Sequence, residues 1–165
     1  TIIEEKGSLE NLNITWFGPL TNVAHSWIEA HSKKLGFKFS IFSPDRSRDL
    51  YLSKISEYKE NLNVESIIHN QIDDEILSAA DVIMTDTWQS MGEETDEQLI
   101  RELHDFRVTK SLMNKAKKDC LFMHCLPANR GQEVEDLVID GGNSRIWEEA
   151  SNRLHVQKQI LRMLM

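Results

Sequence analysis

Hydrophobic positions along this chain switch repeatedly between short continuous runs and a spacing near 3.6. Five runs, "NITWFG", "FKFSIFSP", "VESIIHN", "DVIMTD" and "CLFMHCL", have the length and the β-branched or aromatic content of strands. "DVIMTD" is the strongest by content, and "CLFMHCL" reads as a strand buried on both faces. Between them lie amphipathic stretches with helical spacing. The first, "TNVAHSWIEAHSKKLG", has Thr21 near its N-terminus and Gly36 just past its end. Asp49 to Asn61, "DDEILSAA", "TDEQLIRELHDF" and "TKSLMNKAKKD" follow. The tail "SRIWEEASNRLHVQKQILRMLM" carries Ile146, Ala150, Leu154, Ile160, Leu161 and Leu164 at helical spacing, so it reads as one long terminal helix.

This alternation predicts an α/β fold, a Rossmann-like three-layer sandwich with a mainly parallel sheet of about five strands and a long C-terminal helix. Right-handed crossovers place the C-terminal ends of parallel strands on one edge. Three loops converge there: "FGPLTNVAHS", "TDTWQSMGEE" and "HCLPANRG". Open α/β sheets bind ligands at that edge, so the candidate chemistry is sought in these loops.

Composition narrows the classes. A chain of 165 residues fits one domain, and 19 basic against 27 acidic residues give a formal charge of −8. That balance disfavours a sequence-independent grip on nucleic acid or an anionic membrane. No apolar stretch approaches the roughly 20 residues of a membrane span, and "TIIEEKGSLE" lacks the regions of a secretory signal, so a cytoplasmic location is expected. Cys120 and Cys125 lie five apart on one predicted strand and should face opposite sides; both read as thiols, without zinc-ligand spacing.

Within the first loop, "GPLTNV" has one glycine where a dinucleotide fingerprint needs three, and no acid ends the next strand to hold a ribose. Asn22 remains, either as a turn or capping residue or as an amide offered to a small polar ligand. In the second loop Asp86 ends an apolar strand. It either caps the following turn or holds an ammonium group, with Ser90 and the Met91 amide completing a cradle for a zwitterion. Cys125 is open between packing, nucleophile and substrate-positioning group, and a metal site is not expected because adjacent strand residues point to opposite faces. His25 and His31, six apart on a helix, do not meet on one face. Lys115, Lys117 and Lys118 read as a solvated helix end, and Trp27, Trp88 and Trp147 as core or interface anchors.

Together, "DTWQSMGEE" and "FMHCLPANRGQEV" resemble the paired signatures of the ornithine carbamoyltransferase family, and "SRIWEEASNRLHVQKQIL" resembles its closing helix. The likeness runs through nearly the whole chain. Aspartate carbamoyltransferases lack the Ser-Met-Gly loop. The resemblance implies transfer of a carbamoyl group from carbamoyl phosphate to the δ-amino group of L-ornithine, giving citrulline and phosphate without a cofactor. By motif, Asn22, Asp86, Ser90 and Met91 would hold the amino-acid end of ornithine. Cys125 and Leu126 would lie beside the reacting amine and the carbamoyl group, and Arg153 would reach the carbamoyl oxygen. Cys125 would then position substrate without a covalent intermediate.

The chain departs from the family in two places. The first loop reads "GPLTN" where the family usually has Gly-Asp-x-x-Asn, and no Ser-x-Arg-Thr phosphate motif occurs. The family carries that motif in a separate N-terminal domain. The resemblance therefore implies an ornithine-binding half, inactive alone: residues 1–150 as the α/β domain and 151–165 as a helix that packs back on the other domain, within a homotrimer when whole. The rival readings are a carbamoyltransferase for putrescine or an acylated ornithine, a non-catalytic amino-acid-binding module, and a nicotinamide-binding Rossmann domain.

Overall fold

In the computed structural model the described residues are 1–57, 64, 66–89 and 96–165, residues 56 and 57 by backbone alone. Five strands form one sheet: β1 (Asn13–Phe17), β2 (Lys38–Phe42), β3 (Ile68–His69), β4 (Val82–Thr85) and β5 (Leu121–His124). All pair in parallel, in the order β3-β2-β1-β4-β5. The chain steps outward from β1 to β2 and β3, then returns across the sheet to β4. Connections from β1 and β4 therefore leave in opposite directions, and a crevice opens between their C-terminal ends.

The helices are α1 (Ile2–Lys6), α2 (Asn22–Ser32), α3 (Asp45–Glu57), α4 (Asp74–Ser78), α5 (Glu97–Leu103) with a following 3-10 turn (His104–Phe106), α6 (Lys110–Lys115), α7 (Asp136–Ile139) and α8 (Ile146–Leu164). Strand alternation sorts the core into two faces. Ile14, Trp16, Phe39, Ile41, Val82, Met84, Leu121 and Met123 pack with α1, α2 and α3. Phe17, Phe42, Ile83 and Phe122 pack on the other side with α4, α6, α7 and the start of α8. Helices thus cover both faces, which gives the three layers expected. Phe17, Phe42 and Phe122 are fully buried, each contributing roughly 1.5–3 kcal/mol relative to exposure.

Differences from the expected elements have local causes. Helix α3 begins at Asp45, four residues early, because Pro44 O accepts the first helical bond, from Arg48 N–H at 3.2 Å; that polar first turn carries no apolar signal. Residues 58–61 of the predicted helix lie outside the described residues. Among the described residues of "VESIIHN", Ile68 and His69 form the strand paired with β2, and Ile67 O accepts from Ile41 N–H at 2.7 Å. α1 and α7, five and four residues long, are too short to show a period.

At the margin of the sheet, β5 is not left bare. Phe122 N–H donates to Asn143 O and Arg145 N–H to Phe122 O, both at 2.9 Å, so the segment before α8 lies along the outer side of the strand.

Candidate functional site

The site is assembled around the end of β4. Thr85 Oγ1 donates to Phe17 O at 2.7 Å, which ties the ends of β4 and β1 together and sets Asp86 at the crevice. Asp86 is only 6% exposed. Its Oδ2 accepts from the Thr21 hydroxyl at 2.9 Å, and its Oδ1 accepts from the Cys125 thiol at 3.1 Å and from Thr87 N–H at 2.8 Å. Each rim loop therefore supplies one donor. Asn129 Nδ2 adds a second tie between the loops, donating to Thr87 Oγ1 at 3.1 Å. All three donors to Asp86 are neutral, and among the described residues no lysine or arginine pairs with this carboxylate.

Thr21 works in two directions. As the N-cap of α2 its oxygen accepts from Ala24 N–H at 3.5 Å, while its proton goes to Asp86. The preceding turn needs a glycine: Gly18 has φ +114°, and a Cβ there would sit 3.3 Å from Thr85 Oγ1 and 3.7 Å from the indole nitrogen of Trp88. Asn22 follows Thr21 as the first residue of α2 and is exposed. Trp88 is buried against this turn, as an anchor should be. Ser90 and Met91 lie outside the described residues.

The third loop turns on a buried pair. His124 Nδ1 accepts from Leu126 N–H at 2.9 Å, so Nε2 carries the ring proton and faces Glu133 Oε1 at 3.3 Å. Glu133 Oε1 also accepts from Asn129 N–H. Leu126, with φ 58° and a cis peptide to Pro127, follows Cys125 directly. Burial pushes the Cys125 thiol up to about 12, helped by its bond to Asp86 and by the charges of Asp86 and Glu149. The group is a proton donor at neutral pH, which argues against its use as a nucleophile.

Adjacent residues His124 and Cys125 do not stay apart, contrary to strand alternation, because β5 ends at His124 and the chain turns. With Asp86 they place a carboxylate oxygen, a ring nitrogen and Sγ within 4.8 Å of one another. Both ring nitrogens already have partners, Nδ1 in the Leu126 N–H and Nε2 in Glu133, so in this arrangement His124 presents no free lone pair to an ion.

Asp86, Cys125 and Leu126 are thus brought together, with Asn22 beside Thr21 on the same rim. Arg153 lies on α8, exposed, and forms no ion pair with a described residue. Several partners carry no sequence signal. Glu133 sits in a polar turn, and Glu149, which accepts from His124 N–H at 3.0 Å, reads in sequence as a first-turn surface acid. Lys117 is more than a solvated helix end, since its Nζ lies 2.7 Å from Asp81 Oδ1.

Residues 10–164 match the family described as "Aspartate/ornithine carbamoyltransferase, Asp/Orn binding domain". The chain belongs to this family. It is 38% identical over 166 residues to an ornithine carbamoyltransferase of Ralstonia nicotianae, covering 100% of this chain and 52% of that protein. To an ornithine carbamoyltransferase of Acinetobacter baumannii it is 41% identical over 170 residues, covering 100% and 52%. Among solved structures, ornithine carbamoyltransferase from Pyrococcus furiosus superposes with a TM-score of 0.78 at 38% identity, covering 97% of this chain and 51% of that one. The chain spans about half the length of the carbamoyltransferases it matches. The family match contains β1 through α8, hence all three rim loops.

Proposed function

We propose that this chain is the ornithine-binding half of a carbamoyltransferase that moves the carbamoyl group of carbamoyl phosphate to the δ-amino group of L-ornithine, giving L-citrulline and phosphate. One observation carries this reading: Asp86 is a buried carboxylate at the rim whose donors among the described residues are all neutral. A buried charge without a counter-ion is costly, and an ammonium group offsets that cost. The names of the relatives supply the ligand that brings one.

In this reading Asp86, with Asn22, Ser90 and Met91, holds the zwitterionic end of ornithine. Cys125 and Leu126 form the floor beside the δ-amine and the carbamoyl carbon. Arg153 serves the carbonyl oxygen, where negative charge grows as the amine attacks. Cys125 helps to hold and desolvate the amine and forms no bond to substrate. Carbamoyl phosphate is bound mainly by a second domain, against which the exposed side of α8 packs, and the whole enzyme is a homotrimer.

Calorimetric titration of the chain with ornithine, norvaline, putrescine and N-acetylornithine tests the substrate. Ornithine and norvaline are expected to bind. Preference for putrescine or the acylated amine would overturn the assignment. Mixing with a separately made carbamoyl-phosphate-binding half, followed by a citrulline assay, tests the reaction.

A further inference from the structure

Alternate N–H groups along β5 face outward, away from β4. The first of these, on Phe122, is satisfied by Asn143 O at 2.9 Å. The next belongs to His124, and its acceptor is a side chain: Glu149 Oε2 at 3.0 Å, from the first turn of α8. A carboxylate oxygen thus stands where the ladder's next carbonyl would be. Burial raises the Glu149 carboxyl above its ordinary range, against the pull of the His124 N–H, so this acid is not a solvated dipole partner.

Two consequences follow from the geometry. His124 is fixed through its main chain by Glu149 and through its ring by Leu126 N–H and Glu133, and Cys125 is the next residue. Arg153 comes four residues after Glu149, on the same face of α8 and about 6 Å further along its axis.

We infer that Glu149 is a positioning residue of the site, whose bond to the His124 main chain holds the Asp86–Cys125 pair and Arg153 in register. Its effect on ligand binding rests on the ornithine reading above; the lock between β5 and α8 does not.

Glu149→Gln and Glu149→Ala separate the roles, because a glutamine amide oxygen accepts the same N–H and a methyl group cannot. The readouts are amide exchange by NMR at His124 and along α8, and ornithine affinity by calorimetry. Glu149→Ala is expected to speed exchange at His124 about tenfold or more and to weaken ornithine binding by a similar factor, with the β1 amides unchanged. Glu149→Gln is expected to keep both close to the parent values. Unchanged His124 exchange in the alanine variant would overturn the lock, as would a glutamine variant as impaired as alanine. Faster exchange with unchanged ornithine affinity would overturn the positioning role. If the parent chain bound no ornithine, the substrate reading would fall, and the exchange data would still decide the lock.

Discussion

Cys125 donates a hydrogen bond to Asp86 across 3.1 Å, and burial together with that carboxylate pushes the thiol up to about 12. Alkylation needs the thiolate, so iodoacetamide at pH 8 should modify Cys125 at least about 100-fold more slowly than an unperturbed thiol. Intact mass against time measures this, and parity with a free thiol would contradict the burial. Cys120, also pushed up to about 12 by burial and fully enclosed, should stay silent. Asp86→Asn removes a buried charge that has no cationic partner among the described residues. It is expected to leave the melting temperature unchanged or raised, to speed alkylation of Cys125, and to abolish ornithine binding. At this scale Asp86 and Cys125 were legible because each ends an apolar run at the predicted ligand edge. Thr21 was legible only as a cap. Glu133 and Glu149 were not legible at all, since each is defined by a contact with His124 that no local pattern encodes.

Among the elements, Asp81 does for the N-terminal edge of the sheet what Asp86 does for the opposite rim. Its Oδ2 accepts from Asn13 N–H at 2.9 Å and Asn13 Nδ2 at 3.1 Å, and its Oδ1 meets Lys117 Nζ at 2.7 Å. The start of β1, the start of β4 and the loop that follows α6 are joined through one carboxylate. Burial works to raise its pKa, but the bonds from Asn13 and Lys117 outweigh it and hold the group below its ordinary 3.8. A lowered folded pKa means that this stabilisation is present above 3.8 and is lost as pH falls through the folded value. Urea midpoints for Asp81→Asn and the parent should therefore differ at pH 7 and converge in acid. Glu149 has the opposite sign: its raised pKa favours the fold below its ordinary 4.5 and costs stability as pH rises through the folded value. Glu149→Gln should accordingly raise the urea midpoint at neutral pH. Strand positions were readable because continuous apolar runs mark strands buried on two faces. Helices α1 and α7 and the polar first turn of α3 were not, for want of enough residues to show a period, whereas the short α4, α5 and α6 fall inside the stretches read as helical.

For the molecule as a whole, α8 is the element with the least cover. Ile146 is buried, whereas Trp147, Leu154, Val156, Ile160, Leu161 and Leu164 are between 49% and 80% exposed. An apolar face of this extent promotes association, which the −8 charge opposes. Sedimentation of the chain should show concentration-dependent self-association that strengthens with salt. Ile160→Glu with Leu161→Glu should reduce it, and a monomer at all concentrations in the parent would contradict the expectation. No helix among the described residues is long and apolar enough to cross a membrane.

The covering of β5 also decides what kind of aggregate this chain can form. With residues 143–149 occupying the outer N–H groups of Phe122 and His124 and the Phe122 carbonyl, that strand is a poor template for a strand from another molecule, and β3 at the far margin is only two residues long. Precipitates that grow through α8 should keep a native far-ultraviolet spectrum and bind no thioflavin, because helices rather than newly paired strands hold them together.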